Sequence, residues 1–169
     1  MPVHFEDDKE CNDMEPTHKF RVIAWWSSGR TGIAKSDSAP NAIQFTAPVA
    51  FGGFEGRWTP EDLLLGAIAS CFTTTFRALA EHSRFDYTDL QMEVEGIVSK
   101  SGSGYSFTEI VVRPSLTVTR EEEQEQGIKL LHKVKAVCLV SRALAVPQTF
   151  SPVVRAAAPA LIGDNRVQA

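Results

Sequence analysis

Cysteine is scarce in this 169-residue chain, at three residues, and no Cys-x-x-Cys pair occurs. That excludes the structural zinc sites that need ligands a few residues apart. His18, His82 and His132 are scattered and read as solvated or dipole-compensating side chains, so no metal is expected. The net charge is −4 and no Lys/Arg cluster stands out, which leaves a nucleic-acid binder without its electrostatic footprint. No uninterrupted apolar run reaches the ~20 residues of a membrane span. Ser70 and Ser141 stand beside cysteines, but there is no Gly-x-Ser-x-Gly elbow to activate a serine. Residues 1–18 are polar and acidic and lack the basic start and apolar core of a secretory signal. A flexible N-terminal extension on a cytoplasmic protein is the expectation, with its thiols kept reduced. Cys11 lies in that extension and reads as incidental.

Hydrophobic residues make up 43% of the chain and charged residues 22%, ordinary usage for a globular domain. The expected organisation is one domain over residues 19–155, followed by a tail over 156–169. Phe20 to Trp26 reads as a strand, with short strands after it at Ile33–Ser36 and Ala42–Thr46. Thr59-Pro60-Glu61-Asp62 opens a helix: a capping residue, proline at the first helical position, then two acids at the positive dipole end. Leu64, Leu65, Ile68, Phe72, Phe76 and Leu79 continue it at helical spacing. Leu63, Ala67, Ala69 and Cys71 widen the apolar stripe almost all round, so the helix is expected to be buried and to end near Ser83. Two alternating segments, Tyr87–Lys100 and Tyr105–Val118, flank Ser101-Gly102-Ser103-Gly104 and predict a β-hairpin. That Gly/Ser run, with no helix after it, is a turn and not a phosphate cradle. Arg120 to Cys138 predicts a second helix, acidic first and basic later, with Lys129, His132, Lys133 and Lys135 matching its dipole and Gly127 weakening its middle. Val146 to Val154 reads as a last edge strand, held to the edge by Pro147 and Pro152. The order is α+β.

On composition alone a cysteine on a buried helix is more often a packing residue than a working thiol, by roughly three to one. The flanking residues change that weighing. Thr59-Pro60-Glu61-Asp62-Leu63-Leu64, then Ala67-Ile68-Ala69-Ser70-Cys71-Phe72, together with Val137-Cys138-Leu139-Val140-Ser141-Arg142, resembles the two cysteine segments of the OsmC/Ohr family (osmotically inducible protein C and organic hydroperoxide resistance protein). Gly29-Arg30-Thr31-Gly32 resembles its arginine loop. Leu139 stands where that family usually carries proline. The resemblance covers residues 20–155 and leaves the OsmC and Ohr subgroups unseparated. It implies antiparallel sheets wrapped around two central helices in an intertwined homodimer. It also implies a thiol peroxidase for organic hydroperoxides that works without a cofactor. In that scheme Cys71 attacks the peroxide and becomes a sulfenic acid, and Cys138 closes a disulfide with it. Arg30 supports the thiolate, Glu61 orients Arg30 through a bidentate pair, and a dithiol, lipoyl-type or other, restores the enzyme.

The chemistry makes its own demands. A thiol with an ordinary pKa near ~8.5 is mostly protonated at neutral pH and needs stabilisation of its anion. Arg77 is off the face of Cys71, so the expected cation is Arg30, arriving from elsewhere in the fold. Ten helical residues separate Glu61 from Cys71, about 15 Å at ~1.5 Å each. Glu61 therefore cannot sit beside the Cys71 of its own chain if the helix is unbroken. A site shared across a symmetric dimer removes the conflict. Phe45, Phe51, Phe54, Trp58 and Phe72 are candidates for lining an alkyl-hydroperoxide pocket, each with core packing as the competing reading. The alternative function is a non-catalytic dimer of the same fold that senses redox state or binds a ligand.

Overall fold

Residues 17–158 are described by the computed structural model. Residues 1–16 and 159–169 lie outside it, and with them Cys11, nearly all of the expected N-terminal extension and most of the expected tail. The chain divides into two units, Met1–Phe45 and Thr46–Ala169.

In the first unit, β1 (Val22–Ser28), β2 (Thr31–Ser36) and β3 (Ile43–Thr46) form a sheet in the order β1-β2-β3. β1 and β2 run antiparallel, Trp25 opposite Ile33 and Trp26 opposite Gly32, with an irregularity after Trp26. Gly29 turns the chain at φ 53°, a left-handed conformation that glycine adopts without strain. Gly32 is required for another reason. A Cβ there would lie 2.4 Å from the Phe45 ring, which occupies that space. Every residue of β1 is exposed, including Trp25 and Trp26.

In the second unit, α1 (Pro60–Ser83) begins where the sequence places it. Thr59 Oγ1 accepts from the Asp62 N–H at 3.1 Å, and Asp62 Oδ2 accepts from the Thr59 N–H at 2.9 Å. This reciprocal cap satisfies two otherwise orphaned donors. The helix ends at Arg84, whose φ of 52° is left-handed. By length and composition α1 is long and apolar enough to cross a membrane, although Ser70, Thr73, Thr74 and Thr75 interrupt its apolar run. The Ser70, Thr73 and Thr74 hydroxyls turn back onto helix carbonyls, which satisfies them within the helix. Ile68, Phe72, Phe76 and Ala80, at four-residue spacing, are its fully packed face.

That face meets the hairpin of β4 (Asp89–Ser101) and β5 (Gly104–Val118) and the second helix, α2 (Gln124–Val137). Ile110, Val112, Leu116 and Val118 line one side of β5 at alternate positions, and Leu131 and Val134 supply the α2 side. The predicted second helix starts instead with a 3-10 turn at Glu121–Glu123 and stops before Cys138. A further short helix, α3 (Leu139–Arg142), follows. The single expected edge strand is two strands, β6 (Gln148–Phe150) and β7 (Val153–Ala156), interrupted at Pro152. Both pair parallel with β5, so this sheet is mixed and not purely antiparallel. The crossover through α2 and α3 returns the chain in the same direction as β5.

Candidate active site

Cys71 lies on α1 and Cys138 at the junction of α2 and α3, and the fold brings their side chains into hydrogen-bonding contact. Both are free thiols; Cys138 is fully buried and Cys71 partly so. The junction is built by one residue. Cys138 takes φ −60° and ψ 112°, which is extended, so helical propagation stops there. Its N–H closes α2 onto the Val134 carbonyl at 2.8 Å, and its own carbonyl accepts the Arg142 N–H at 3.0 Å, starting α3.

This break has a chemical consequence. The first N–H groups of a helix have no intrahelical acceptor, and those of Leu139 and Val140 point at the Cys71 sulfur. Burial pushes the Cys71 thiol up. Hydrogen bonds from the Val140 N–H, the Cys138 thiol, the Thr75 hydroxyl and the Leu139 N–H outweigh it and hold the group below the ordinary thiol range. Within this unit, amide, hydroxyl and thiol donors stabilise the Cys71 anion. Cys138 goes the other way. Burial raises it and the adjacent Cys71 raises it further, against the opposing Ser141 N–H and the Lys135 charge. One sulfur is poised as the anion and the other as its proton-bearing neighbour.

Three polar side chains complete this end of the fold. Lys135 Nζ donates to Ser141 Oγ at 2.6 Å and to the Gln148 side-chain carbonyl, which the Ser141 hydroxyl also reaches. Gln148 Nε2 donates back to the Ser141 carbonyl at 2.7 Å. Sequence reasoning missed this cluster. Lys135 reads from the sequence as one of the basic residues matching the helix dipole, and Ser141 lacks an elbow to activate it. The available signal was the three-residue step from Lys135 to Cys138 and again to Ser141, which a helix–junction–helix segment can fold onto one site.

The other expected site residues lie on several elements. Glu61 is in the first turn of α1, and the helix runs unbroken to Cys71, so the two stand about 15 Å apart along the axis. Glu61 Oε2 is buried without a hydrogen-bond partner. Arg30 is in the β1–β2 turn of the first unit. Phe72 is fully buried in the core, its ring 6.0 Å from that of Phe150, and so has no face left for a ligand. Phe45 packs against Gly32 in the first unit. Phe51 is exposed with its ring edge on Tyr105, and Phe54 is exposed. Trp58 forms one wall of a cavity of about 540 Å³ with Leu65, Gly66, Met92 and Val94; neither cysteine lines it.

Comparison with known proteins agrees with the geometry. Residues 53–152 match the family described as OsmC-like protein. An uncharacterised protein of Bacillus subtilis (strain 168), YmaD, is 31% identical over 130 residues, covering 75% of this chain and 87% of that one. Among solved structures, an OsmC-like protein of unknown function from Vibrio cholerae superposes with a TM-score of 0.71 at 19% identity, over 81% of this chain and all of the other. An organic hydroperoxide resistance protein OsmC from Legionella pneumophila gives 0.66 at 20% identity, over 83% and 98%. The organic hydroperoxide resistance protein OhrB of Bacillus subtilis gives 0.59 at 19%, over 82% and 98%. With its α+β fold, its two facing cysteines and a match across more than half its length, the chain belongs to the OsmC-like protein family.

Proposed function

We propose that this protein is a cysteine-dependent peroxidase that reduces organic hydroperoxides. The observation that carries the reading is the contact between two free thiols of opposite acidity, Cys71 lowered and Cys138 raised. The Cys71 thiolate attacks the terminal peroxide oxygen; the O–O bond breaks and the alkoxide leaves, taking a proton to become the alcohol. Cys71 is left as a sulfenic acid. The Cys138 sulfur then attacks the Cys71 sulfur, and water departs as the disulfide forms. A dithiol reductant reopens it by exchange.

The working form in this reading is a homodimer. Exposed Trp25, Trp26 and Phe20 on the first unit, and Leu139 and Val137 beside Cys138, are apolar surface of the kind that marks an interface. The buried, unpartnered Glu61 Oε2 suits a guanidinium, and Arg30 is our candidate for it, the pair meeting the cysteines of the opposite subunit. Arg30 then adds a charge to the amide donors already on Cys71. Phe51, Phe54 and Trp58 are candidates for the alkyl side of the substrate.

The test is a challenge with one equivalent of cumene hydroperoxide, counting thiols and measuring turnover with a dithiol. Wild type is expected to lose two thiols per chain. Cys71→Ser is expected to lose nearly all turnover, and Cys138→Ser to give one turnover followed by over-oxidation. Equal activity in all three proteins would remove the mechanism. Two thiols persisting in wild type would favour a dimeric binding or sensing protein of the same fold.

A further inference from the structure

Lys135 is a half-buried cation that no carboxylate pairs with among the described residues. Burying a charge without a counter-charge is costly. Lys135 sits in the last turn of α2, where a solvated position is the ordinary arrangement for a lysine. The cluster instead holds it in place. Ser141, 2% exposed, and Gln148 accept from its ammonium, and Gln148 is itself fixed by the Ser141 carbonyl. Ser141 also supplies the N–H that bonds the Cys138 sulfur. One residue therefore ties the lysine and the thiol together, and Lys135 stands one turn before Cys138 on the same helix.

We propose that Lys135, seated by Ser141 and Gln148, is the positioning residue that provides the counter-charge for the Cys138 thiolate during disulfide closure. This rests on the peroxidase reading above. Cys138 is the thiol that burial makes reluctant to ionise, yet closure needs its anion. Cys138 loses its proton, its sulfur attacks the Cys71 sulfenic acid, the S–S bond forms as the S–O bond breaks, and hydroxide leaves to be protonated to water. The Lys135 ammonium offsets the charge of the attacking sulfur and of the same sulfur when a reductant later displaces it. Among the described residues the groups acting on that sulfur are few. α2 contributes Lys135, with His132 a turn away against the Phe150 ring; α1 contributes Cys71; α3 contributes the Ser141 amide, its Arg142 being exposed; neutral Gln148 of β6 bonds Lys135 and Ser141. Burial holds the lysine below its ordinary range, and the neighbouring Cys138 opposes that shift.

The experiment separates the two chemical steps in Lys135→Met, Lys135→Gln and Lys135→Arg. Sulfenic acid at Cys71 is timed by dimedone trapping, and disulfide closure by rapid acid quench and peptide mapping. Met and Gln are expected to slow closure about tenfold and raise sulfinic acid at excess peroxide, leaving sulfenic-acid formation within about twofold; Arg is expected to stay within about threefold of wild type in both. Closure unchanged in Met and Gln, or Arg falling as far as Met, would overturn the proposal. A second measurement does not depend on peroxide chemistry. In a Cys71→Ser background, the pH profile of Cys138 alkylation by iodoacetamide is expected to move to higher pH with Lys135→Met. Superimposable profiles would overturn the proposal even if wild type proves to be a peroxidase. If wild type forms no disulfide with peroxide, the peroxidase reading fails, and the alkylation profiles still decide what Lys135 does to Cys138.

Discussion

Leu139→Pro isolates one donor to the Cys71 thiolate. Proline has no N–H, so the substitution deletes the Leu139 amide bond to the sulfur and leaves the Val140, Thr75 and Cys138 donors. The fold is ready to accept it. Leu139 is the first residue of α3, the helical position that proline favours. Cys138 before it already has ψ 112°, close to the extended range a following proline imposes. The leucine side chain is 68% exposed within its own chain, so little packing inside the subunit is lost. A hydrogen bond to a charged group contributes ~1.5–3 kcal/mol. With Cys71 partly exposed and three donors remaining, about 1 kcal/mol is the fair share, or ~5-fold fewer thiolates at a fixed pH below the midpoint. Each remaining thiolate is more nucleophilic, with a Brønsted slope of ~0.5. The alkylation rate at that pH should therefore fall only about twofold while the whole pH profile moves up.

The assay is iodoacetamide alkylation of Cys71, followed across pH by peptide mapping, beside a thermal melt of each protein. A profile identical to wild type would refute the claim that the α3 amides stabilise the anion. A large drop in melting temperature would refute the claim that the junction is already shaped for proline.

Other perturbations have equally direct readings. Thr59→Ala removes the capping box of α1 and should cost about 1 kcal/mol in urea unfolding; no change would mean the helix start is fixed elsewhere. Gly53→Ala places a Cβ 1.5 Å from the Ala47 carbonyl oxygen, so backbone must move, and a loss of about 2 kcal/mol or more is expected; a neutral result would show that the loop relaxes freely. In the wild type, Cys71 should alkylate at lower pH than Cys138. The sign follows from the directions of shift. The depressed Cys71 favours the fold above its unfolded value and loses that contribution as pH falls through its folded value; the raised Cys138 favours it below its unfolded value and loses that contribution as pH rises through its folded one. The reverse order of reactivity would overturn the assignment of which sulfur is the anion. Sedimentation at micromolar concentration should find a dimer; a monomer would remove the shared Arg30–Glu61 site.

Local features were legible because local residues decide them. Thr59, Pro60 and Asp62 define the start of α1 within four positions, and Gly102-Ser103 between two alternating segments defines the hairpin turn. What the sequence concealed depends on distant neighbours. Gly127 reads as a weak point in α2, yet a Cβ there would lie 3.0 Å from Leu116 and 3.2 Å from Val154; it is the place where the helix approaches the sheet. The parallel pairing of β6 and β7 with β5 follows from the crossover, which no periodicity within β6 or β7 encodes. Cys138 looked like the end of a helix because its residues have ordinary helical propensity. The extended backbone that aims two amides at Cys71 is imposed by tertiary packing. Lys135 was hidden for the same reason, since Gln148, its partner, lies thirteen positions on.

The junction at Cys138 also links the redox state of the chain to its resistance to heat. A bond from there to Cys71 would close a loop of roughly 70 residues containing the whole β4–β5 hairpin and α2, a constraint worth ~4 kcal/mol on the unfolded chain by loop entropy. The oxidised protein should then melt several degrees above the reduced one, and a melting curve without substrate or reductant becomes a gauge of the thiol couple. The relation runs both ways: whatever the disulfide adds to the fold, the reducing thiol must overcome, so mutations that alter how tightly α1 holds the junction will also alter the midpoint potential.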